Sequence, residues 1–506
     1  MNSPVAKKLK ILLANPPARE PAGPGMERYF IKAGSRWPWS YIKKISDICL
    51  PPFPFYLAYA AAVLEREEFV VEVIDGVALN IQEDEFIRRT REIAPDVLVI
   101  ETVMHAFQHD LRIIRELKDD NPDLRVILTG PFVTVFAQNI IRDYPFIDLV
   151  LRGEYEFVLA EVMKRWSRGE DIQDLTGVAF RNGGGDPIIS SKAFIKDINL
   201  LPGPAFKLFP CNDQPDMTCY TDGVCTYRPM VTLHSSRGCP FKCDFCLWNQ
   251  VMYGNGPWRP FDAGRVVDEM EYVIREFKAR EIYFDDDDFC ISKEHVLDIC
   301  RLIQDRGMKI KWSCMGDAMV TDEEMIAAMA EAGCIFMKFG VESGNREVLK
   351  KIGKPLDPER AVEVSKWCRK HGIMTHATFV LGLYGDTMAS MRDTVRLANR
   401  IKFDYAQVSI ATPFPGTRMY DKLLEEGAIK DLDYSRFDGA QSCVFNTESL
   451  SAQEIENFRK KTIRQLILHK MMDPGWWKNY LRRSFILYKE YGFLRTVEPL
   501  KALLRL

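Results

Sequence analysis

Short apolar runs of strand length alternate with amphipathic helical stretches twice over in this 506-residue chain, from Lys10 to about Lys164 and again from Val231 to Ile410. In the first series Ile11–Ala14, Val70–Ile74, Val97–Ile100 and Val126–Leu128 read as strands. Helical periodicity covers Phe55–Glu65, Glu83–Ile93 and Asp110–Lys118 between them. A helix between two strands returns the chain to the same edge, so the strands it joins lie parallel. The repeat predicts a doubly wound, Rossmann-like parallel sheet with its ligand at the carboxyl ends of the strands. Those ends carry Asn15-Pro16-Pro17, Asp75-Gly76, Glu101-Thr102 and Thr129-Gly130-Pro131, and a Pro/Gly-rich loop is expected at Pro21–Gly25. No G-x-G-x-x-G follows the first strand, which argues against a pyrophosphate-binding dinucleotide site. A docking domain without a ligand is the alternative for this half.

The second series places strands at Val231–His234, Glu281–Phe284, Lys309–Ser313, Ile335–Val341, Ile373–Leu381 and Tyr405–Ile410. Amphipathic helices include Val266–Lys278, Glu323–Ala332, Pro358–His371 and Met391–Ile401, and Gly333 and Gly372 stand where helices should stop. Repeated strand–helix units predict a (β/α)6 partial TIM barrel, with chemistry gathered at the strand carboxyl ends. The α/β chain thus divides into a Rossmann-like domain over 1–165, a linker over 166–227 with a small hairpin near Gly177–Phe180, a barrel over 228–440 and a helical extension over 441–506.

Three cysteines stand within the eight residues Cys239 to Cys246, spaced C-x3-C-x2-C, directly after the apolar run Val231-Thr232-Leu233. They fall on the loop where the first barrel strand ends. Three thiolates can hold three irons of a 4Fe–4S cluster and leave the fourth iron open to a cofactor or substrate. A closed zinc site is the competing reading. It wants four ligands, commonly as C-x2-C pairs, and His234 would have to supply the fourth from the strand itself. Coincidence in a chain with 13 cysteines is the third.

Composition narrows the setting. Hydrophobic residues make up 47% and charged residues 27%, ordinary for a water-soluble protein, and a net charge of −3 gives no reason to expect nucleic acid. A strand-like run, rather than a cleavable apolar segment, follows the basic first residues, and so many thiols fit a reducing cytoplasm. The longest apolar-rich run, Phe53–Leu64, is too short to span a bilayer. From Lys470 onward eight Lys or Arg face three Asp or Glu, interleaved with Trp476, Trp477, Phe485, Ile486, Tyr488, Phe493 and Leu494. Such a segment either packs on its own barrel or lies peripherally on the anionic inner face of a membrane.

Taken together, these stretches resemble the cobalamin-binding radical S-adenosylmethionine (SAM) enzymes over nearly the whole chain, and the class B radical SAM methyltransferases among them. Cys239, Cys243 and Cys246 match that superfamily's C-x3-C-x-aromatic-C motif, with Phe245 in the aromatic position. Gly340-Val341-Glu342-Ser343-Gly344, the stretch from Phe379 to Thr387, and Pro413-Phe414-Pro415-Gly416-Thr417 match further. Asn15-Pro16-Pro17, Thr129-Gly130-Pro131 and Arg152-Gly153-Glu154 resemble the family's cobalamin domain. Two departures stand out. Domains that ligate cobalt through histidine carry D-x-H-x-x-G, whereas this chain has Asp75-Gly76-Val77 there, and its only histidines in this half, His105 and His109, read as ordinary helix or loop residues. Tyr384 stands where proline is usual in the fifth-strand motif.

The resemblance implies a 4Fe–4S cluster on Cys239, Cys243 and Cys246, and SAM near Phe245, Glu342 and Gly382. It implies cobalamin near Asn15, Thr102, Gly130, Gly153 and Glu154. SAM would chelate the open iron, and one electron from a flavodoxin or ferredoxin would release a 5′-deoxyadenosyl radical that removes hydrogen from an unactivated carbon. Methylcobalamin would then donate the methyl group, and a second SAM would restore it. Glu342 has a competing reading as a capping carboxylate at Gly344-Asn345. Asp285–Asp288 are candidates to bind substrate or take a proton, with at least two of them expected in a solvated loop because adjacent carboxylates repel. Cys290, Cys314 and Cys334 read mainly as buried small hydrophobes. Three functions follow: methyl transfer to a small-molecule or lipid-like substrate, another radical reaction such as cyclisation, rearrangement or carbon–carbon coupling, and a non-catalytic Fe–S or zinc protein.

Overall fold

The computed structural model describes residues 9–34, 39–45, 50–222, 225–429 and 432–491. It forms two compact units, one of Met1–Thr221 with Leu247–Gly256 and Pro415–Thr417, the other of Asp222–Cys246, Pro257–Phe414 and Arg418–Leu506.

Among the described residues the first unit holds ten strands: β1 (Lys10–Asn15), β2 (Arg19–Gly23), β3 (Met26–Ile31), β4 (Trp39–Lys44), β5 (Val70–Asp75), β6 (Val97–Glu101), β7 (Arg125–Thr129), β8 (Leu149–Leu151), β9 (Val178–Arg181) and β10 (Pro187–Ile189). Seven of them form one sheet in the order β10-β9-β8-β7-β6-β1-β5. β1 pairs in parallel with both β5 and β6, and β6, β7 and β8 continue in parallel. Parallel strands are covered by helices on both faces, which is why Ile11–Ala14 and Val97–Ile100 are buried apolar runs rather than alternating ones. The chain reverses its direction of winding between β1 and β6. Ligands of doubly wound sheets bind at that switch point, and Asn15 and Thr102 stand there.

Two expectations for this unit change. The Pro/Gly-rich stretch after β1 is a three-stranded antiparallel meander, β2-β3-β4, rather than a loop. Pro21 fits because β2 is an edge strand, where a missing N–H costs no ladder bond. Residues 166–227 do more than link. The expected hairpin forms as β9 and β10, and β9 extends the main sheet by pairing antiparallel with β8.

The second unit holds β11 (Met230–Leu233), β12 (Ser236–Arg237), β13 (Arg259–Pro260), β14 (Glu281–Phe284), β15 (Lys311–Gly316), β16 (Cys334–Glu342), β17 (Met374–Leu381) and β18 (Tyr405–Ile410). Six are parallel neighbours in sequence order, β11-β14-β15-β16-β17-β18. Helices Ala263–Phe277, Lys293–Asp305, Glu323–Glu331, Pro358–Lys370 and Met388–Arg400 return the chain each time. Trp312 is fully buried among Phe284 and Phe289. Cys290, Cys314 and Cys334 are buried as small core hydrophobes, as their sequence positions imply.

Two further helices close the second unit. Ala452–Met471 starts with a capping box between Ser451 and Glu454. Pro474–Tyr491 packs on the sheet edge, where Trp476 Nε1 donates to Asp404 O at 2.9 Å and Asn479 Nδ2 to Asp404 Oδ1 at 2.6 Å. Among the described residues no helix is long and apolar enough to cross a membrane. Phe493 and Leu494 of the basic tail lie outside the described residues.

Candidate active site

The cysteine loop leaves β11 and is held open by the loop that leaves β14. Asp286, fully buried, accepts from Ser235 N at 2.8 Å and Ser236 Oγ at 2.7 Å, and also from Ser235 Oγ. Asp287 Oδ2 accepts from Gly238 N at 2.9 Å. Gly238 has φ +87°, and a Cβ there would lie 2.7 Å from Pro257 O, so the turn into Cys239 requires glycine. The expected solvated aspartate loop is thus corrected: none of Asp285–Asp288 is exposed, because two of them fasten the cysteine loop. Further along, Asp244 N donates to Ile352 O at 2.8 Å and Asp244 O accepts from Met419 N at 3.1 Å.

Cys239, Cys243 and Cys246 are half-buried on this loop, as is Phe245. Burial pushes the Cys243 thiol up to about 12, with Lys354 opposing and Cys246, Glu342 and Asp317 adding to the rise. Burial raises Cys239 as well, helped by Asp288, Asp287 and Cys246. Such thiols keep their protons until a metal displaces them. Among the described residues no three His, Cys, Asp or Glu side chains converge as one metal ion would require. A single zinc ion draws its ligands onto one point, whereas a cluster takes each thiolate on a separate iron.

Beside the cysteines, at the carboxyl ends of β14, β15 and β16, lies a buried group of charges. Lys354 Nζ donates to Asp317 Oδ2 at 2.8 Å. Burial works against the Lys354 ammonium, yet Asp317, Cys243 and Glu342 together raise it above the usual lysine value. Glu342 ends β16 with φ +64°, and burial pushes its carboxyl up to about 7 against the pull of Lys354 and the Thr378 hydroxyl. Asp288 Oδ1 accepts from Cys290 N at 2.9 Å, while its buried Oδ2 has no hydrogen-bond partner among the described residues. Burial, then Asp317 and Cys290, raise Asp288 well above the carboxylate range. Three carboxyl groups thus share one ammonium. The capping role at Gly344-Asn345 falls to the Asn345 side chain, which accepts from Glu347 N and Val348 N at 3.1 and 3.2 Å, and Glu342 stays free of it.

Gly382 directly follows β17. Its N–H goes to Asp386 Oδ2 at 3.0 Å, and Ile455 fills the space beside its α-carbon. Tyr384 turns to Glu426, with 2.7 Å between its hydroxyl and Oε1. Lys354 and Asp317 are missing from the sequence reading. Lys354 looks like the end of a surface basic run from Lys350, and only tertiary packing buries it.

In the first unit the switch point is polar and buried. Asn15 Nδ2 donates to Asp75 Oδ1 at 2.8 Å, and burial lifts the Asp75 carboxyl to about 6 against Tyr220 and the backbone donors of Val77 and Ala78. Asn15 Oδ1 and Thr129 Oγ1 are buried without partners among the described residues. Thr102 Oγ1 donates to Asp110, which also holds Lys32 from the meander at 2.6 Å with both side chains fully buried. Gly130 and Gly153 let the chain pass close to Thr102 O and Ala193 O, and Glu154 Oε2 accepts from Ile195 N at 2.9 Å. At Asp75-Gly76-Val77 the meander seals the loop, with Tyr29 Oη donating to Val77 O at 2.7 Å and Tyr29, Ile31 and Trp39 packed on Val77. His105 and His109 flank Phe30 at ring distances of 5.2 and 5.3 Å, as ordinary packing residues.

The radical SAM superfamily model matches residues 233–398, and the B12-binding domain model matches residues 50–163. The chain is a radical SAM enzyme with a B12-binding domain. This enzyme is 28% identical over 422 residues, 83% of its length and 89% of the relative's, to a protein named uncharacterized methyltransferase PH0819 from Pyrococcus horikoshii. It is 24% identical over 470 residues, 88% of its length and 72% of the relative's, to the anaerobic magnesium-protoporphyrin IX monomethyl ester cyclase of Cereibacter sphaeroides. Its fold is similar to that of the cobalamin-dependent S-adenosylmethionine radical enzyme OxsB, with a TM-score of 0.66 and 15% identity over 99% of this chain and 75% of that one.

The family models imply a 4Fe–4S cluster, SAM and cobalamin as the cofactors of the enzyme. The residues present fit them. SAM carries a sulfonium and an ammonium against one carboxylate, and cations brought beside the carboxyl groups around Lys354, where Asp288 Oδ2 is unpartnered, would favour their ionised form. Corrin side chains are amides, and Asn15 Oδ1 and Thr129 Oγ1 are buried polar atoms awaiting such partners at the switch point. The Asp75-Gly76-Val77 loop itself carries no histidine.

Proposed function

We propose that this enzyme catalyses cobalamin-dependent methyl transfer to an unactivated carbon of a small-molecule or lipid-like substrate. The observation that carries the reading is the joint presence, in one chain, of a three-cysteine loop beside an acid-rich buried pocket and a doubly wound unit with unpaired polar atoms at its switch point. When bound, the cluster with SAM supplies a hydrogen-abstracting 5′-deoxyadenosyl radical, and cobalamin supplies the methyl group. The chain's own part is placement. Cys239, Cys243 and Cys246 would hold the cluster, and the spacing leaves one iron to SAM. Glu342 and Asp288 would receive the positive and hydroxyl groups of SAM, Lys354 would meet its carboxylate, and Phe245 would lie against the adenine. Asn15, Thr102, Thr129, Gly130, Gly153 and Glu154 line or shape the cobalamin crevice in this reading. The six parallel strands in sequence order are read as the arc of a (β/α)6 partial barrel, which gathers these loops at one end.

The similarity to a cyclase over 88% of the chain favours a second reading, ring closure without methyl transfer. The products separate the two. Anaerobic protein with reconstituted cluster and cobalamin, supplied with SAM and a flavodoxin or ferredoxin as reductant, is expected to yield 5′-deoxyadenosine together with S-adenosylhomocysteine. 5′-Deoxyadenosine without S-adenosylhomocysteine in the presence of a turned-over substrate would establish the cyclase-type reading instead. Intact SAM cleavage in a Cys239→Ala, Cys243→Ala, Cys246→Ala variant would overturn both.

A further inference from the structure

We propose that the outward faces of the two C-terminal helices form a docking surface for an anionic lipid membrane. Of the twelve large hydrophobic side chains exposed among the described residues, six lie between Leu468 and Tyr488. Scattered exposed hydrophobics are normal, whereas this concentration marks a contact surface. In helix Pro474–Tyr491 the inner face is accounted for: Trp476 and Asn479 bond Asp404, and Arg483 donates to Cys225 O at 3.2 Å. The outer stripe is Lys478, Leu481, Arg482, Phe485, Tyr488 and Lys489, at helical spacing on one side. Leu481, Phe485 and Tyr488 are 60%, 59% and 51% exposed, an apolar cost that packing among the described residues does not remove. Lys489 Nζ sits 4.6 Å from the Phe485 ring centroid, so cation and ring share that face.

The charge pattern selects the occupant. From Ile455 to Lys489 the only acidic residues are Glu456 and Asp473, and neither is exposed: Glu456 accepts from Cys443 N and Asp473 pairs with Arg369 at 3.1 Å. The preceding helix Ala452–Met471 likewise exposes Lys460, Lys461 and Arg464, then Leu468 and Met471. Basic residues interleaved with exposed leucine and aromatic rings, with Glu454 in the first turn of the earlier helix as the exposed acid among the described side chains, describe a surface that lies in the headgroup layer of anionic lipid. A nucleic acid would meet the same cations and could stack bases on Phe485 and Tyr488, but would leave Leu468, Met471 and Leu481 in water. The proposal does not depend on which radical reaction the enzyme performs.

Full-length, cluster-reconstituted protein is to be sedimented with vesicles of phosphatidylcholine alone or mixed with phosphatidylglycerol, at low and high salt. It is expected to bind the anionic vesicles, to ignore the neutral ones, and to weaken as salt rises. Leu481→Ser with Phe485→Ser, and separately Lys478→Gln with Arg482→Gln, are each expected to lose about tenfold or more in vesicle affinity. Both variants should keep the wild-type melting temperature and SAM cleavage, since the stripe supports nothing beneath it. Wild-type protein that stays in the supernatant would overturn the proposal, as would variants that bind like wild type. So would loss of all binding on removing 492–506 alone, which would place the contact in that segment. Binding of poly(U) RNA in preference to vesicles, or a self-association abolished by Leu481→Ser with Phe485→Ser, would reassign the surface to a nucleic acid or a second copy of the chain.

Discussion

Lys354 holds Asp317 through a 2.8 Å hydrogen bond in which both side chains are withdrawn from water. Among the described residues the same ammonium is the one cation that opposes the raised carboxyl of Glu342, and it also acts on Asp288 and Cys243. A single lysine therefore sets the electrostatics of the pocket beside the cysteine loop.

Replacing Lys354 with methionine leaves Asp317 buried and unpaired, which should cost about 3–5 kcal/mol. Chemical denaturation of the reconstituted enzyme is the measurement. Adding Asp317→Leu to Lys354→Met should restore most of that loss, because both charges are then gone. SAM affinity should stay low in single and double variants alike, since neither offers a cation to the SAM carboxylate. A double variant that regains SAM binding would remove Lys354 from the site.

Gly238→Ala forces a β-carbon into a left-handed backbone position, 2.7 Å from Pro257 O. Strain of this kind costs about 1–3 kcal/mol. It falls directly on the turn into Cys239, so the iron retained after reconstitution should drop well below wild type while far-ultraviolet circular dichroism is unchanged. Full iron content in Gly238→Ala would show that the turn tolerates the shift.

Glu342 carries the pH dependence. Its folded carboxyl is raised to about 7 from the ordinary glutamate value of 4.5, so the native state holds the proton that the unfolded chain releases. Its contribution to stability is fully present below the unfolded value and is lost as pH rises through about 7. Without SAM, the Glu342→Gln variant should match wild type near the acid end of that window and be the more stable of the two above it. Equal pH profiles for the two proteins would contradict the buried placement of Glu342.

Thr129 Oγ1 is a buried hydroxyl with no partner among the described residues. The isosteric Thr129→Val variant should melt higher without cobalamin, because an unpaired buried polar group is removed. With cobalamin it should bind about tenfold more weakly, the worth of one hydrogen bond. Opposite signs in the two measurements are the signature of a ligand contact, and unchanged cobalamin affinity would reduce Thr129 to packing.

Legibility in the sequence followed local periodicity. Strands Glu281–Phe284 and Tyr405–Ile410 have the bounds that alternation and apolar runs gave them, because those signals are carried by consecutive residues. The meander after β1 was hidden because Pro21, Gly23 and Gly25 punctuate it like a loop, and its stability comes from Tyr29, Ile31 and Trp39 packing on the distant Val77. The hairpin near Gly177 was legible as a hairpin. Its joining to the main sheet was not, since strand pairing is set by contacts far apart in the chain.

The sequence by itself determined that two parallel strand–helix series follow one another and that three thiols stand at the end of a strand, because spacing and periodicity are properties of neighbouring residues. Only the tertiary structure decided which of the charged groups near those thiols act together. Asp286 and Asp287 became fasteners of the cysteine loop, and Glu342 was released from a capping role. Lys354 moved from an apparent surface run to the centre of a buried pocket. Burial converts a solvated charge into one that must find a partner, and burial is fixed by residues that only the fold brings together.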